Sequence, residues 1–447
     1  MCRSGISPNP TSSCVLYYNA THMITLLDLP RSLREACGLE LIAAVAPTDP
    51  YPVAEPKGAK RFKLLQSIPP DEKKYHERVR QLLEDALKEA RRYLGDRPWC
   101  YDRHVTCDDE TGQVPQGQKK GERYPDVTCQ PRAYPSSSNR EALVKTDQVG
   151  AEDCATKDLR EIFIDLTASS ATTAGDLTMP PVILSPLANH VCFNSNLHNA
   201  CIHNPNTDAV RLHVEGRIYH IPACSTFILS TVVSGMRAFN SALRTLPRNI
   251  SNGPGKFKFD LILLDPPWPN RSVRHSLQYN TIKNPLLQTI PIISSTLSCA
   301  GHVAIWITNK RSVRLLALQA LFRIGLTLIA EIIWLKITTR GEPVTPLDGL
   351  WRKPWEVCLL LHRHEVTMRS ESFFGDVEEQ ELYPPVPQHI VLSVPTTHSQ
   401  KPHLSPLLTP FLQPPYTALE LFARNLTSGW WSWGDQVLQF MEQQQTY

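Results

Sequence analysis

The chain of 447 residues is notable first for what it does not contain. No apolar stretch approaches the roughly 18 residues that cross a bilayer, and the N-terminus has no basic, then apolar, then small-residue leader pattern. A spanning or secreted protein is not expected, and a soluble intracellular one is. The 12 cysteines include no CxxC pair, so they read as reduced thiols rather than a disulfide framework. Net charge is only +3, so no global basic field announces nucleic acid, and any such contact must come from local patches. Glycine is scarce, 20 residues against 38 prolines, which implies long irregular segments. The absence of GxGxxG leaves a nicotinamide or flavin enzyme with little support.

What is present divides the chain into four regions. Residues 1–95 form an N-terminal region in which "CVLYY" and "LELIAAVA" are short apolar pieces interrupted by prolines. "KGAKRFK", 57–63, is a compact basic patch, read either as a contact for nuclear import or RNA phosphates or as a solvated face. The clearest helix spans 71–94, with Tyr75, Val79, Leu82, Leu83, Ala86, Ala90 and Tyr93 on one face, Asp71 as its N-cap and Gly95 as its end. Residues 96–155 are polar and turn-rich and read as a largely disordered insertion. An intermediate segment, 156–235, contains "LREIFIDL", "STFILSTVV" and a hairpin, "VRLHVEGRIYHIP", turned at Glu215-Gly216.

From 236 to 447 apolar strands alternate with helices: "FDLILL", "HVAIWI", "SVRLLALQALFRIG", "LTLIAEIIWLKI", "VCLLLH", "HIVLSV" and "TALELFA". The alternation predicts an α/β domain, a mostly parallel sheet with helices on both faces. Such sheets bind ligands beyond the carboxyl ends of their strands, where the pattern places Asp265.

Asp265 begins "DPPW". A strand running into a turn explains an acid and one proline, but not Trp268 directly after two prolines. Chance would give the tetrapeptide in roughly one chain of this length in a thousand. The chemistry suits a planar aminopurine. Pro266 and Pro267 stiffen the loop and withhold two donors, leaving carbonyls available. The Asp265 carboxylate and the Pro266 carbonyl would accept the two N–H groups of an exocyclic amine. Trp268 would stack on the ring, worth on the order of 1–3 kcal/mol.

"FDLILLDPPWPNRSVRHSLQY", "IWITNKR", "IIWLKITTRGEPVTPLD", "KPWEVCLLL", "IVLSVPTTHSQKP" and "ELFARNLTSGWWSWGDQVLQF" together resemble the MT-A-seventy family of adenine-N6 methyltransferases, and within it the branch of methyltransferase-like protein four. The resemblance covers most of residues 215–440. It implies a Rossmann-like domain dependent on S-adenosylmethionine (AdoMet), in permuted motif order, behind an N-terminal helical or mixed extension. It implies that Asp265, Pro266, Pro267 and Trp268 are catalytic and that Asn270 and Tyr279 line the target base. Val232, Asp265, Lys401, Arg424, Asn425 and Gln436 would meet AdoMet, and no metal is needed. Thr231 stands where the family has an acid, Asp435 where it has asparagine and Gln400 where histidine is common. A carboxylate at 435 accepts from ribose hydroxyls but cannot donate to them.

The resemblance further implies a nucleic-acid substrate, RNA before DNA, with small nuclear RNA carrying 2′-O-methyladenosine foremost; the location expected is the nucleus, with the cytoplasm also open. Whether a partner chain is required is left open, with a monomer as one reading. A catalytically silent RNA-binding partner of the same fold is the alternative, and the intact DPPW tetrad speaks against it. Three further features carry less. His190, Cys192, His198, Cys201 and His203 are metal-ligand types at no finger spacing, so a loop with incidental imidazoles is the simpler reading. "GWWSWG" reads as core packing, with Trp431 and Trp433 facing one way and Trp430 the other. Trp334 and Lys336 share one face of their strand, beside the pocket or simply packed and solvated.

Overall fold

Alternation and continuous apolar runs become strands where predicted. The computed structural model describes residues 14–39, 43–103, 180–184, 190–193, 197–214, 216–246, 257–268, 285–363, 382–397, 400–408, 411–412 and 415–443. Most of the expected insertion (104–155), "LREIFIDL", Glu215, Asn270 and Tyr279 lie outside the described residues. The strands are β1 Val15–Asn19, β2 Ile24–Leu27, β3 Val182–Ile183, β4 His190–Phe193, β5 Cys201–His203, β6 Val210–Val214, β7 Arg217–Ile221, β8 Thr226–Leu229, β9 Phe259–Leu264 and β10 Leu297–Ile307. β11 Leu326–Lys336, β12 Trp355–Arg363, β13 Gln388–Ser393, β14 Ala418–Leu421 and β15 Trp431–Gly434 complete the set. The helices are α1 Leu29–Cys37, α2 Gly58–Ser67, α3 Pro70–Leu94, α4 Met236–Thr245, α5 Pro285–Thr296, α6 Arg311–Phe322 and α7 Ser405–Leu408.

Twelve strands form one sheet in the order β1-β2-β13-β11-β12-β10-β9-β14-β15-β8-β5-β3, while β4-β6-β7 form a small second sheet. From β10 through β9, β14 and β15 to β8 every pairing is parallel. β12 is the reversed strand, antiparallel to both β10 and β11. Since both neighbours oppose β12, β10 and β11 run the same way. α5 lies between β9 and β10 in the chain, and α6 between β10 and β11, as crossovers joining parallel strands require. The result is the mixed α/β, mostly parallel sheet of a Rossmann-like fold. It extends beyond residues 236–447: β1 and β2 join one edge through β13, and β5 and β3 join the other through β8.

Helices cover both faces. On one face α1 contributes Leu29, Leu33 and Cys37 to a core with Leu261, Leu263, Trp306, Ile332 and Trp334. Adjacent strand residues point to opposite faces, so Glu331, next to Ile332, meets α3 and α6 on the other. α3 buries Tyr75, Val79, Leu83, Ala86, Ala90 and Leu94, a narrower stripe than expected, and leaves Leu82 and Tyr93 exposed. Its start is also corrected. Pro69 is the N-cap and Pro70 the first helical residue, so Asp71 lies inside the first turn. Proline suits that position because its missing N–H would have no partner there, while Asp71 and Glu72 favour the positive end of the helix dipole.

Within residues 96–103, Trp99 and Arg103 anchor a largely exposed segment to the sheet domain. Trp99 is buried against Gly341, where any Cβ would lie 2.2 Å from the indole. Arg103 donates to the carbonyls of Ala44, Val394 and Pro395. "LELIAAVA" is not regular structure where described, whereas "CVLYY" supplies β1. The hairpin is β6–β7, with Gly216 at φ 78° in its turn. Among the described residues no helix is long and apolar enough to cross a membrane.

Candidate active site

All the parallel strands from β13 to β8 end on one edge, and the residues singled out by sequence collect there. Asp265 follows β9, Arg424 and Asn425 follow β14, Gln436 follows β15, Val232 follows β8, and Lys401 comes eight residues after β13. Leu263, Asp265, Trp306, Lys401, His403, Glu420, Phe422, Arg424 and Asn425 line a common cleft. The backbone there is unusual. Phe422 has φ 62°, a left-handed conformation seldom adopted outside glycine, and it turns the chain between β14 and Arg424. Gly434 sits so close that a Cβ would lie 2.4 Å from the Ala423 carbonyl oxygen, so a side chain there would prise β14 and β15 apart.

The electrostatics centre on Asp265. Its carboxylate lies 3.2 Å from Arg424 Nη1 and 3.6 Å from Lys401 Nζ. Lys401 also bonds Glu356 at 2.9 Å, and Glu356 bonds Lys336 at 2.5 Å. Arg424 donates through Nε to Gln436 Oε1 at 3.4 Å, which fixes the guanidinium plane. Charges of alternating sign therefore run from Lys336 through Glu356, Lys401 and Asp265 to Arg424. Burial works to raise the Glu356 carboxyl, but Lys401 and Lys336 outweigh it and hold it far below the usual carboxylate range. Burial likewise opposes charge on Lys401, and Asp265 and Glu356 overcome it, raising the ammonium pKa.

The carboxylate rests on the two cations assigned to the cofactor side, and its remaining lone pairs are what it can offer an amine. The Pro266 carbonyl accepts the Trp268 N–H at 2.8 Å, leaving one lone pair for a substrate. Trp268 is 8% exposed and donates its indole N–H to the Trp306 carbonyl at 2.7 Å, so it is a fixed wall of the loop rather than a projecting platform. Val232 is buried, and Thr231 is exposed with its hydroxyl bonded to Ser234. Asp435 is exposed on the turn after β15. Trp334 is packed, donating to Ser393 Oγ at 2.6 Å, and Lys336 Nζ lies 4.7 Å from its ring centroid. Trp431 and Trp433 both pack on Phe239, and Trp430 lies on the other face beside His403. In the histidine–cysteine stretch, His203 bonds Thr226 at 2.9 Å and burial pushes the Cys201 thiol up to about 12. The described residues there have the chemistry of packing rather than of thiolate ligation.

Sequence reasoning missed Glu420, His403 and Glu356, which have no motif of their own beyond their closeness to "KP", "ELFARN" and "KPWE". His403 lines the cleft with its Nε2 buried and unpartnered, and burial lowers its pKa to about 4, so it is neutral at pH 7. Two cations, two acids and a buried imidazole suit a zwitterionic ligand with hydroxyls. Lys401 matches a carboxylate, Asp265 an ammonium, sulfonium or hydroxyl group, and the protonated Glu420 a hydroxyl. AdoMet has all of these, and the residues present fit it.

Glu420 gives a pH signature. Burial, then the charge of Asp265, push its carboxyl up to about 8 against the pull of Arg424. The folded protein thus keeps a proton that the unfolded chain releases near pH 4.3. The stabilisation is complete below that pH and is lost as pH rises through 8. Between pH 6 and 8 the wild type should lose about 2 kcal/mol relative to Glu420→Gln, read from denaturant unfolding at each pH. Parallel stability profiles for the two proteins would refute the assignment.

A Rossmann-like sheet thus carries DPPW at the end of β9, with a cleft of paired charges beside it. Residues 259–436 match the MT-A70 family, the family the motifs resemble. The match covers that domain and leaves the residues before 259 outside it. The N6-methyladenosine RNA methyltransferase MTA1 of Cryphonectria parasitica is 42% identical over 193 residues, 41% of this chain and 53% of its own length. The N(6)-adenine-specific methyltransferase METTL4 of Mus musculus is 34% identical over 249 residues, 55% of this chain and 48% of its own. The DNA N6-methyl methyltransferase of Caenorhabditis elegans is 31% identical over 214 residues, 47% and 51%. The chain spans about half the length of the curated relatives it matches.

Proposed function

We propose that this protein is an AdoMet-dependent adenine-N6 methyltransferase acting on RNA, with small nuclear RNA carrying 2′-O-methyladenosine as the leading substrate and a nuclear location to match. The observation that carries the reading is an intact Asp-Pro-Pro-Trp loop whose acid is gripped by Lys401 and Arg424. Bound AdoMet supplies the activated methyl group. The chain supplies position. Asp265 and the remaining lone pair of the Pro266 carbonyl accept the amine N–H groups and hold its nitrogen out of conjugation with the ring, aimed for attack. Trp268, pinned to Trp306, keeps the loop rigid. Lys401 and Arg424, steadied by Glu356 and Gln436, hold Asp265 in place and present cationic groups to the cofactor. In a duplex the target base must be extruded, and in a loop it need not be.

DNA is the second reading, favoured by the relative named as a DNA methyltransferase. Incubating the purified protein with methyl-labelled AdoMet and parallel pools of small nuclear RNA, messenger RNA and DNA separates the readings. Label in N6-methylated 2′-O-methyladenosine from the first pool is the expected result. Label in DNA alone transfers the proposal to the second reading. Label in no pool, or on another nucleoside, ends both.

A further inference from the structure

The helix α2 has no packing reason to exist, since none of its residues is buried. It presents Lys57, Lys60 and Lys63 to solvent, with Phe62 63% exposed. It stands against the loop 337–354 that joins β11 to β12. The Glu55 carboxylate, just before α2, accepts the backbone N–H groups of Leu350 and Trp351 at 2.9 and 3.4 Å. Arg61 pairs with Asp348 at 3.2 Å, and Lys60 Nζ lies 4.9 Å from the ring centroid of Trp351. Trp351 is nonetheless 51% exposed, and Arg352 beside it is exposed too.

The place of this surface matters as much as its composition. β11 runs parallel to β10 and β9, so its loop leaves the sheet on the edge that carries Asp265. The two ends of the loop are tied to the cleft by the Lys336–Glu356 and Glu356–Lys401 ion pairs. Two acids of this surface are already engaged, Glu55 by loop amides and Asp348 by Arg61. What remains outward is a group of cations around a half-exposed indole on a chain whose net charge is only +3. Lysines that track phosphates and an aromatic face that stacks a base are the two elements of single-strand recognition.

We infer that α2 and the 337–354 loop together form a docking surface for a single-stranded nucleic-acid segment flanking the target adenine, with Lys57, Lys60 and Lys63 on phosphates and Trp351 stacked on an unpaired base. The inference rests on the nucleic-acid reading of the cleft and adds where the strand lies. It is tested on the full chain by fluorescence anisotropy with a labelled single-stranded RNA oligonucleotide, and with the same sequence as DNA, across a salt series. Lys57→Glu/Lys60→Glu/Lys63→Glu should weaken binding at least tenfold and flatten the slope of log affinity against log salt by about 2. Trp351→Ala should weaken binding about tenfold with little change in that slope. The milder Lys→Gln triple variant should fall between, and AdoMet affinity should be unchanged in all of them. Loss with both RNA and DNA, or with RNA alone, supports the surface. Unchanged affinity in these variants overturns it and leaves the methyltransferase reading standing. Loss of RNA affinity by the variants with no methyl transfer to any pool by the wild type upholds the surface and defeats the activity. If the wild type dimerises by light scattering and the triple variant does not, a second copy of the chain covers this face and the inference is wrong.

Discussion

Asp265→Asn is expected to reduce methyl transfer at least about 100-fold, the scale seen when one preorganised polar group is removed from a reacting centre. Asparagine has nearly the same size, so packing is preserved and charge is what changes. The carboxylate sits 3.2 Å from Arg424 and 3.6 Å from Lys401. An amide there leaves two cations facing one another across a cleft, and its NH₂ end opposes the amine it should accept from. Asp265→Ala is expected to go further and to weaken AdoMet affinity about tenfold, because Lys401 and Arg424 then lose the anion that sets their positions. If the acid served the base alone, the variant would instead be dead in transfer with cofactor binding nearly intact. Titration calorimetry with AdoMet, alongside single-turnover transfer, decides between the two. Normal transfer by Asp265→Asn would defeat the clamp. Unchanged AdoMet affinity in Asp265→Ala would defeat the coupling of acid to cations.

Glu331→Ala should cost about 3–5 kcal/mol of stability, the range for removing one partner from a buried ion pair. Glu331 is fully buried on β11, paired with the equally buried Arg314 of α6. It also accepts from Tyr75 Oη at 3.0 Å and from Gln388 Nε2 at 2.7 Å. Arg314 donates Nε to the Leu382 carbonyl at 2.7 Å and lies 4.9 and 4.7 Å from the ring centroids of Tyr75 and Tyr383. Those two rings stack at 4.4 Å. Without Glu331 the guanidinium is left in the interior with no counter-charge, and Tyr75, the foremost buried residue of α3, loses its acceptor. Glu331→Gln keeps most of the hydrogen bonds and should cost less. Urea unfolding measures both. A loss below about 1 kcal/mol for the alanine variant would mean that the network does not hold α3 and α6 to the sheet.

Much of this was readable one residue at a time. Largely apolar runs such as Phe259–Leu264 and Leu326–Lys336 specify buried strands because short, mostly apolar lengths fit a strand covered on both faces. The stripe from Tyr75 to Ala90 specifies a helix for the same kind of reason. DPPW declared its chemistry because two prolines and a tryptophan after an acid at the end of a buried strand have little structural explanation. Even the packing of Trp431 with Trp433, and of Trp430 opposite them, followed from alternation.

What needed the tertiary structure was everything made between distant parts of the chain. Strands from residues 15–27 extend the same sheet as β13, and β12 enters reversed between β10 and β11. Asp265 meets Lys401 and Arg424, and Lys401 meets Glu356. Glu420 and His403 enter the cleft, while Trp268 turns inward to Trp306 and not outward to a base. Pro69 and Pro70 took the helix start from Asp71. Periodicity reports which side of an element is buried, and motifs report which chemistry is present. Neither says which charge lies opposite which, because a side chain's electrostatic partner is set by where strand ends meet in space, and that is decided only when the sheet closes on its full order.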